Sequence, residues 1–298
     1  MSISRQTLSV VIVSFKSENV IYDCIKSIPN ELKIIVVDNA NDKKFRETIE
    51  NEYNNVKCVL SSSNLGMGSG NNLGLKYVKT DYAIILNPDV ILESNALDEI
   101  ITASKNIESF AILAPLSTNK DYPNYKIDKK TEAKVDDKLP FKVKSVDGYA
   151  MVLNLKKINQ IENFKNSNFF DENIFMYLEN DDVCKRIIDN NENIFVIPSS
   201  KINHLGAKGV NEMYAYEVEL SRNWHWIWSK FYFNKKHYGF LFAFFHCFPG
   251  FLSSIIKFLF YSVLLKHKKK KIHLQRIKGF INALLGKKSS YRPEINNY

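Results

Sequence analysis

The stretch "LSVVIVSFKSENVIYDCIKSIPNELKIIVVDN", residues 8–39, decides the class of fold. It opens on "LSVVIVSF" (8–15), a short apolar run rich in Val and Ile that suits a strand buried on both faces. Ser17 follows, and beyond it Val20, Ile21, Cys24, Ile25 and Ile28 recur at helical spacing on one face. "KIIVVDN" (33–39) then returns to strand chemistry. Two buried strands joined through an amphipathic helix are the repeating unit of a parallel sheet.

Outward from this unit the alternation continues. A polar helix is expected near 42–53, a strand at "VKCVLSS" (56–62), a helix near 69–79, a strand at "YAIILNPD" (82–89), and a helix with Leu97, Ile100 and Ile101 inward. The fold class is therefore α/β, a mostly parallel sheet flanked by helices, with ligands gathering at the carboxyl ends of the strands. Asp38 and Asp89 both stand at such ends. The polar, weakly periodic stretch 118–142 reads as a long surface loop. "VKSVDGYAMVLNL" (143–155) resumes strand character, 179–190 starts another helix, and "NIFVIPSSKINHLG" (193–206) is strand then turn.

With 298 residues, 45% of them hydrophobic, the chain can bury a sizeable core. Cys24, Cys58, Cys184 and Cys247 form no CxxC pair, so reduced thiols are expected rather than bridges or a thiolate metal site. "MSISRQTLSVVIVSF" lacks the features of a secretory signal, which places the first domain in the cytoplasm as an expectation. The formal charge of +9 is unevenly spread: from Ser229 onward 14 Lys/Arg face one acid, Glu294, whereas residues 1–228 hold 27 Lys/Arg against 31 Asp/Glu. The basicity belongs to the tail, and a division into 1–228 and 229–298 is expected.

"NLGMGSGNNLG" (64–74) invites a dinucleotide reading, but GxGxxG fails in both registers, Asn71 and Leu73 standing where the third glycine would be. Its glycines would still let the backbone approach a base or ribose, unless they form a plain turn. "ILNPDV" (85–90) sets Asn87 and Asp89 at a strand end, a spacing suited to one divalent cation on a diphosphate, or to an Asx turn. His204 could be a second ligand or an ordinary half-buried histidine. "LENDD" (178–182) gathers Glu179, Asp181 and Asp182 around Asn180. Acids at a helix start also complement its dipole, and Asp182 lies one turn from Arg186, an i,i+4 ion pair.

"VVIVSF", "IIVVDNA", "NLGMGSGNNLG", "ILNPDV", "FFDENIFMYLENDDVCKR" and "INHLG" occur in the order and approximate spacing of the family 2 glycosyltransferases, over about residues 8–206. "NPDV" looks like the rhamnosyltransferase-related branch of bacterial surface polysaccharide synthesis. The resemblance implies a GT-A fold, a nucleoside-diphosphate sugar donor, a divalent cation (Mg²⁺ or Mn²⁺) and inversion at the anomeric carbon. By position it implies Asp38 on the nucleobase, with Asn64, Gly66, Gly70 and Asn71 as donor contacts, and Asp89 and His204 at the metal. It also exposes two departures. Asn87 replaces the first acid of the metal motif, and Asn180 falls on the aspartate that serves as general base in the pattern Glu-Asp-x-Asp-Leu-Cys-x-Arg. An amide cannot take that proton, so Glu179, with Asp181 second, is expected to be the base.

"SRNWHWIWSKFYFNKKHYG" (221–239) mixes aromatic and basic residues, as single-strand nucleic-acid platforms and bilayer interfaces both do. From Tyr238 to Leu265 the only formal charge is Lys257, which favours membrane lipid over nucleic acid. "NKKH" before and "KHKKKK" after suggest that both ends are cytoplasmic. Pro249-Gly250 is expected to split the run into helices of roughly 11 and 15 residues, about 17 and 22 Å, giving a re-entrant or in-plane pair, with one spanning helix as the alternative. The chain thus reads as a membrane-associated transferase acting on a lipid-linked or surface glycan. The competing readings are a non-catalytic adaptor, favoured by Asn87 and Asn180, and a sugar nucleotidyltransferase, disfavoured because "SFKSEN" lacks the required glycine-rich signature.

Overall fold

The opening Val/Ile run becomes strand β1 (Leu8–Ser14), buried over its whole length. Helix α1 (Ile21–Lys26) carries the apolar face anticipated for it, with Ile21, Cys24 and Ile25 buried. This computed structural model describes residues 2–119, 123–127, 138–165, 168–206 and 209–293. The alternation continues through β2 (Lys33–Asp38), α2 (Lys43–Glu52), β3 (Val56–Leu60), α3 (Gly66–Leu75), β4 (Tyr82–Leu86), β5 (Val90–Leu92), α4 (Ala96–Asn106) and β6 (Ile112–Ser117). Two-residue strands β7 (Tyr125–Lys126) and β8 (Phe141–Lys142) lie in the stretch expected to be a loop, of which 120–122 and 128–137 fall outside the described residues. β9 (Ser145–Val146), β10 (Ala150–Asn154), α5 (Leu155–Gln160), α6 (Glu179–Asp189) and β11 (Ile194–His204) follow.

The main sheet has the order β3-β2-β1-β4-β10-β6-β11-β5, with β8 paired to β11. β1 to β4 run parallel, and β10 enters antiparallel between β4 and β6. β11 is parallel to β6 and antiparallel to β5. This mixed topology brings the carboxyl ends of β2, β4, β6 and β11 and the amino end of β10 to one edge. Apolar clusters fill both faces of the sheet, one under α1, α2 and α4, the other under α3 and α6.

Two expectations change here. The helix placed near 69–79 begins at Gly66, because the glycines that read as a turn pack it against the sheet. A Cβ on Gly70 would lie 2.8 Å from Val13 Cγ1, and one on Gly74 2.4 Å from Val11 Cγ1. The division expected at 228/229 falls inside α7 (Ala215–Tyr238), a continuous helix.

The chain forms two compact units, one of residues 1–171 and 180–211, the other of 172–179 and 212–298. The second contains α7, α8 (Phe240–Val263) and α9 (His267–Leu284). Trp224, Ile227, Trp228 and Phe231 of α7 share its core with Ala243 and Cys247 of α8 and Phe280 and Ala283 of α9. That shared face keeps α7 unbroken through 228/229. Helix α8 likewise runs unbroken through Pro249, overturning the expected pair of short helices. Pro249 lies on the exposed side, while Ala243, Cys247 and Ser254 pack on the other side and hold both halves in line. The four cysteines are buried and unbridged.

Candidate functional site

Strand direction assembles the site. Asp38 ends β2, Asn87 and Asp89 follow β4, His204 ends β11, and Asp147 precedes the antiparallel β10, all at one edge of the sheet.

Asp89, buried, lies with its Oδ1 3.4 Å from Nε2 of His204. Its carbonyl accepts from Leu205 N at 3.0 Å, and β5 pairs His204 opposite Val90, so the two side chains converge through sheet register. Tyr149 stacks on the imidazole, centroids 4.0 Å apart. Burial pushes the Tyr149 phenol up to about 12, so its ring acts as a neutral wall. Oδ1 of Asn87 is buried with no hydrogen-bond partner among the described residues. An unmet buried acceptor costs about 1–3 kcal/mol and invites a donor or a cation. No group of three His, Cys, Asp or Glu is gathered for a metal among the described residues. Two protein ligands plus an amide oxygen nevertheless fit a hard cation that takes its remaining ligands from phosphate and water.

At the end of β2, separated from β4 by β1, Asp38 is 1% exposed and its carboxylate accepts from Ala40 N at 3.2 Å and Asp42 N at 2.7 Å. Burial raises its pKa, and those two N–H donors oppose the rise. Asp38 therefore shapes the turn into α2 and keeps spare lone pairs for a ligand. Asn39, which the sequence reading passed over, donates from Nδ2 to Gly66 O at 3.0 Å and accepts from Leu65 N at 3.3 Å, fixing the start of α3. Asn64 Oδ1 accepts from Gly66 N at 3.1 Å, and Gly66 has φ +78, the left-handed region that glycine tolerates. Gly70, expected at the donor, turns its bare side to Val13 and serves helix packing. Asn71 is buried, with Oδ1 unpartnered among the described residues.

The acidic segment divides its labour. Asp182 is fully buried and accepts from Arg186 Nε at 3.0 Å, the i,i+4 pair anticipated. The Arg186 guanidinium also covers the Phe164 ring at 4.0 Å and donates to Phe169 O. Asp181 Oδ1 accepts from Lys126 Nζ at 2.7 Å. Asn180 donates from Nδ2 to Val146 O at 2.8 Å, and a Cβ on Gly148 would stand 3.1 Å from its own Cβ. The amide is therefore a clamp on the turn between β9 and β10. The residue it presents is Asp147, also missed from sequence. Burial raises the Asp147 pKa; Lys126 pulls it down, Asp181 pushes it up and His204 pulls it down. A carboxylate immediately before a glycine at the mouth of an apolar strand was the available signal.

Glu179, the first residue of α6, is 9% exposed and belongs to the helical unit. It follows Tyr177 and Leu178, at φ +68 and +67. Two successive left-handed non-glycine residues are strained, at roughly 1–2 kcal/mol each, and such strain collects at functional sites. The strap 172–179 is held within its unit: Ser229 Oγ donates to Met176 O at 2.7 Å, Phe175 stacks on His225 at 4.4 Å, and Arg292 covers Phe175 at 3.8 Å.

A family profile described as "Glycosyl transferase family 2" matches residues 9–179. The low-salt glycan biosynthesis hexosyltransferase Agl10 of Haloferax volcanii is 26% identical over 118 residues, a match covering 38% of this chain and 38% of that protein. Among solved structures, the mannosyltransferase PcManGT of Pyrobaculum calidifontis, in complex with GDP-Man and Mn²⁺, superposes with a TM-score of 0.56 at 11% identity, over 95% of this chain and 88% of that one. S. aureus TarS 1-349 gives 0.51 at 15% identity, over 98% and 94%. These structural likenesses establish a shared fold.

Proposed function

The chain belongs to glycosyl transferase family 2 and has its GT-A fold, and from that premise we propose that it transfers a sugar from a nucleoside-diphosphate donor to a glycan acceptor, with inversion. The observation that carries the reading is the approach of Asp89 and His204 at the strand edge, with Asn87 two residues before Asp89, together with the Asp38–Asn39 turn at the same edge; Oδ1 of Asn87 and of Asn71 are unpartnered among the described residues. The first group suits a diphosphate with its cation. The second suits a base and ribose, with Asp38, Asn64, Gly66 and Asn71 as the donor contacts.

A divalent cation, Mg²⁺ or Mn²⁺, would be held by Asp89, His204 and the Asn87 amide oxygen, and would neutralise charge on the departing diphosphate. The acceptor hydroxyl attacks the anomeric carbon on the face opposite the diphosphate. The new C–O bond forms as the bond to the diphosphate breaks, and a carboxylate takes the hydroxyl proton. We assign that base to Glu179, with Asp181 second because Lys126 already engages its carboxylate. The motif "NPDV" supports rhamnose as the sugar, and the apolar α8 supports a lipid-linked or surface-glycan acceptor met at the cytoplasmic face of the plasma membrane.

The experiment is nucleotide-sugar binding and turnover with and without Mn²⁺ or Mg²⁺, using a panel that includes dTDP-rhamnose, UDP-sugars and GDP-mannose. Asp89→Asn is expected to abolish metal-dependent donor binding while the protein stays folded. Unchanged affinity at saturating metal removes Asp89 from the site. No binding or turnover of any donor by the parent protein replaces the transferase with the non-catalytic adaptor.

A further inference from the structure

Helix α8 has three longitudinal faces. Ala243 and Cys247 are buried in the core shared with α7 and α9, and Ser254 is buried on the same face. Leu241, Phe245, Leu252, Ile256, Leu259 and Val263, at 48–82% exposure, form a continuous stripe along the full length of the helix, within about 80° of arc on an ideal helix. Between these two faces, His246, Ser253 and Lys257 make an exposed polar border. Lysines close both ends of the stripe: Lys235 and Lys236 precede it, and Lys266 and Lys268–Lys271 follow it.

By length and composition α8 could cross a bilayer. Its neighbours argue otherwise. Helix α7 accompanies it through Phe231 against Phe240 and Ile227 against Gly250, and α9 through Phe280 against Phe251 and His273 against Tyr261. Those two helices carry Glu217, Glu219, Arg222, Lys230, Arg276 and Lys278. A spanning α8 would draw these charges into hydrocarbon, where each is strongly disfavoured.

We propose that α8 lies in the plane of the membrane, its 241–263 stripe immersed in the acyl boundary of a single leaflet. The lysines at its two ends engage the phosphates of anionic lipids. This deepens the membrane attachment proposed above and does not depend on the transfer reaction. A hydrophobic stripe bordered by basic residues is the arrangement of interfacial helices. A second copy is the poorer occupant. Whether two stripes met parallel or antiparallel, the lysine-rich end of one would face lysines of the other, whereas an anionic leaflet neutralises all of them.

The test uses the full-length protein with vesicles of phosphatidylcholine, alone or mixed with phosphatidylglycerol. The four native cysteines are buried, so single cysteines at positions 241, 252 and 263 can be labelled with a fluorophore and read by depth-dependent quenching. The in-plane helix gives the same shallow depth at all three. A maximum depth at 252 with shallow ends overturns the proposal in favour of a span. Phe245→Ser combined with Ile256→Ser and Leu259→Ser should abolish flotation with vesicles while nucleotide binding is kept; flotation as before removes the stripe from the contact. A lysine near an anionic surface is worth roughly fivefold in partitioning, so Lys266→Gln with Lys271→Gln should lose about 25-fold on phosphatidylglycerol-containing vesicles and little on phosphatidylcholine. Labels that are already shielded in lipid-free buffer, with concentration-dependent self-association, replace the membrane by a second copy. Flotation of a preparation that binds no donor would overturn the transferase and leave this proposal standing.

Discussion

Asn180→Asp installs the acid that the family pattern carries, and the structure predicts that it weakens the protein. The amide donates to Val146 O at 2.8 Å from a site 9% exposed, with Gly148 closely packed against it. Aspartate keeps the shape but turns the donor into an acceptor, leaving a carbonyl and a carboxylate oxygen facing each other. A buried acceptor deprived of its donor costs about 1–3 kcal/mol. Near the middle of that range, the melting temperature of a domain this size falls by about 4–8 °C. The loss depends on pH, because the protonated acid can donate to Val146 O and the ionised acid cannot. The folded-state pKa of the new carboxyl is therefore raised. The penalty is absent below the unfolded value of about 3.9 and complete above the raised folded value. Thermal melts of parent and variant at about pH 4 and about pH 7.5 measure it, and the gap should widen toward neutral pH. Coincident melts at both values, or a gap that widens in acid, would refute the clamp.

Burial holds the His225 pKa at about 3, below its ordinary 6.5, between Tyr291 O and Ser289 Oγ. Since the unfolded chain binds the proton more readily, the helical unit should lose about 1.4 kcal/mol per pH unit as pH falls below the unfolded value, and His225→Gln should flatten that slope in acid titrations followed by tryptophan fluorescence. Glu179→Gln should lower turnover about 10²–10⁴-fold with donor affinity nearly kept, as loss of a general base does. If Asp181→Asn alone shows that loss, the base is Asp181. Gly74→Ala would put a Cβ 2.4 Å from Val11 Cγ1 and 3.1 Å from Val37 Cγ2, and should cost about 1–3 kcal/mol in urea denaturation.

The first βαβ unit was legible because strands buried on both faces become unbroken Val/Ile runs and the helix between them shows a clear 3.6-residue period. Asp38 and Asp89 stand out as candidates because each closes such a run. What stayed hidden depends on contacts between distant segments. Hydrophobic period carries no strand direction, so the antiparallel entry of β10, which delivers Asp147 to the site, had no local sign. Glycine has the same letter whether it turns the chain or lets a helix approach a sheet, and Gly70 and Gly74 do the latter. Pro249 signals a break in isolation; α8 stays whole because side chains on its opposite face pack both halves against α7 and α9.

The strap 172–179 packs on residues made well after it, His225, Ser229 and Arg292. Until those residues are made, the residues leading into Glu179 lack these packing partners. A fragment ending at 211 would carry the strap exposed, with Phe175 in water. The segment that bears the assigned base thus takes its native packing within its own unit only after α7 and the chain as far as Arg292 have been translated.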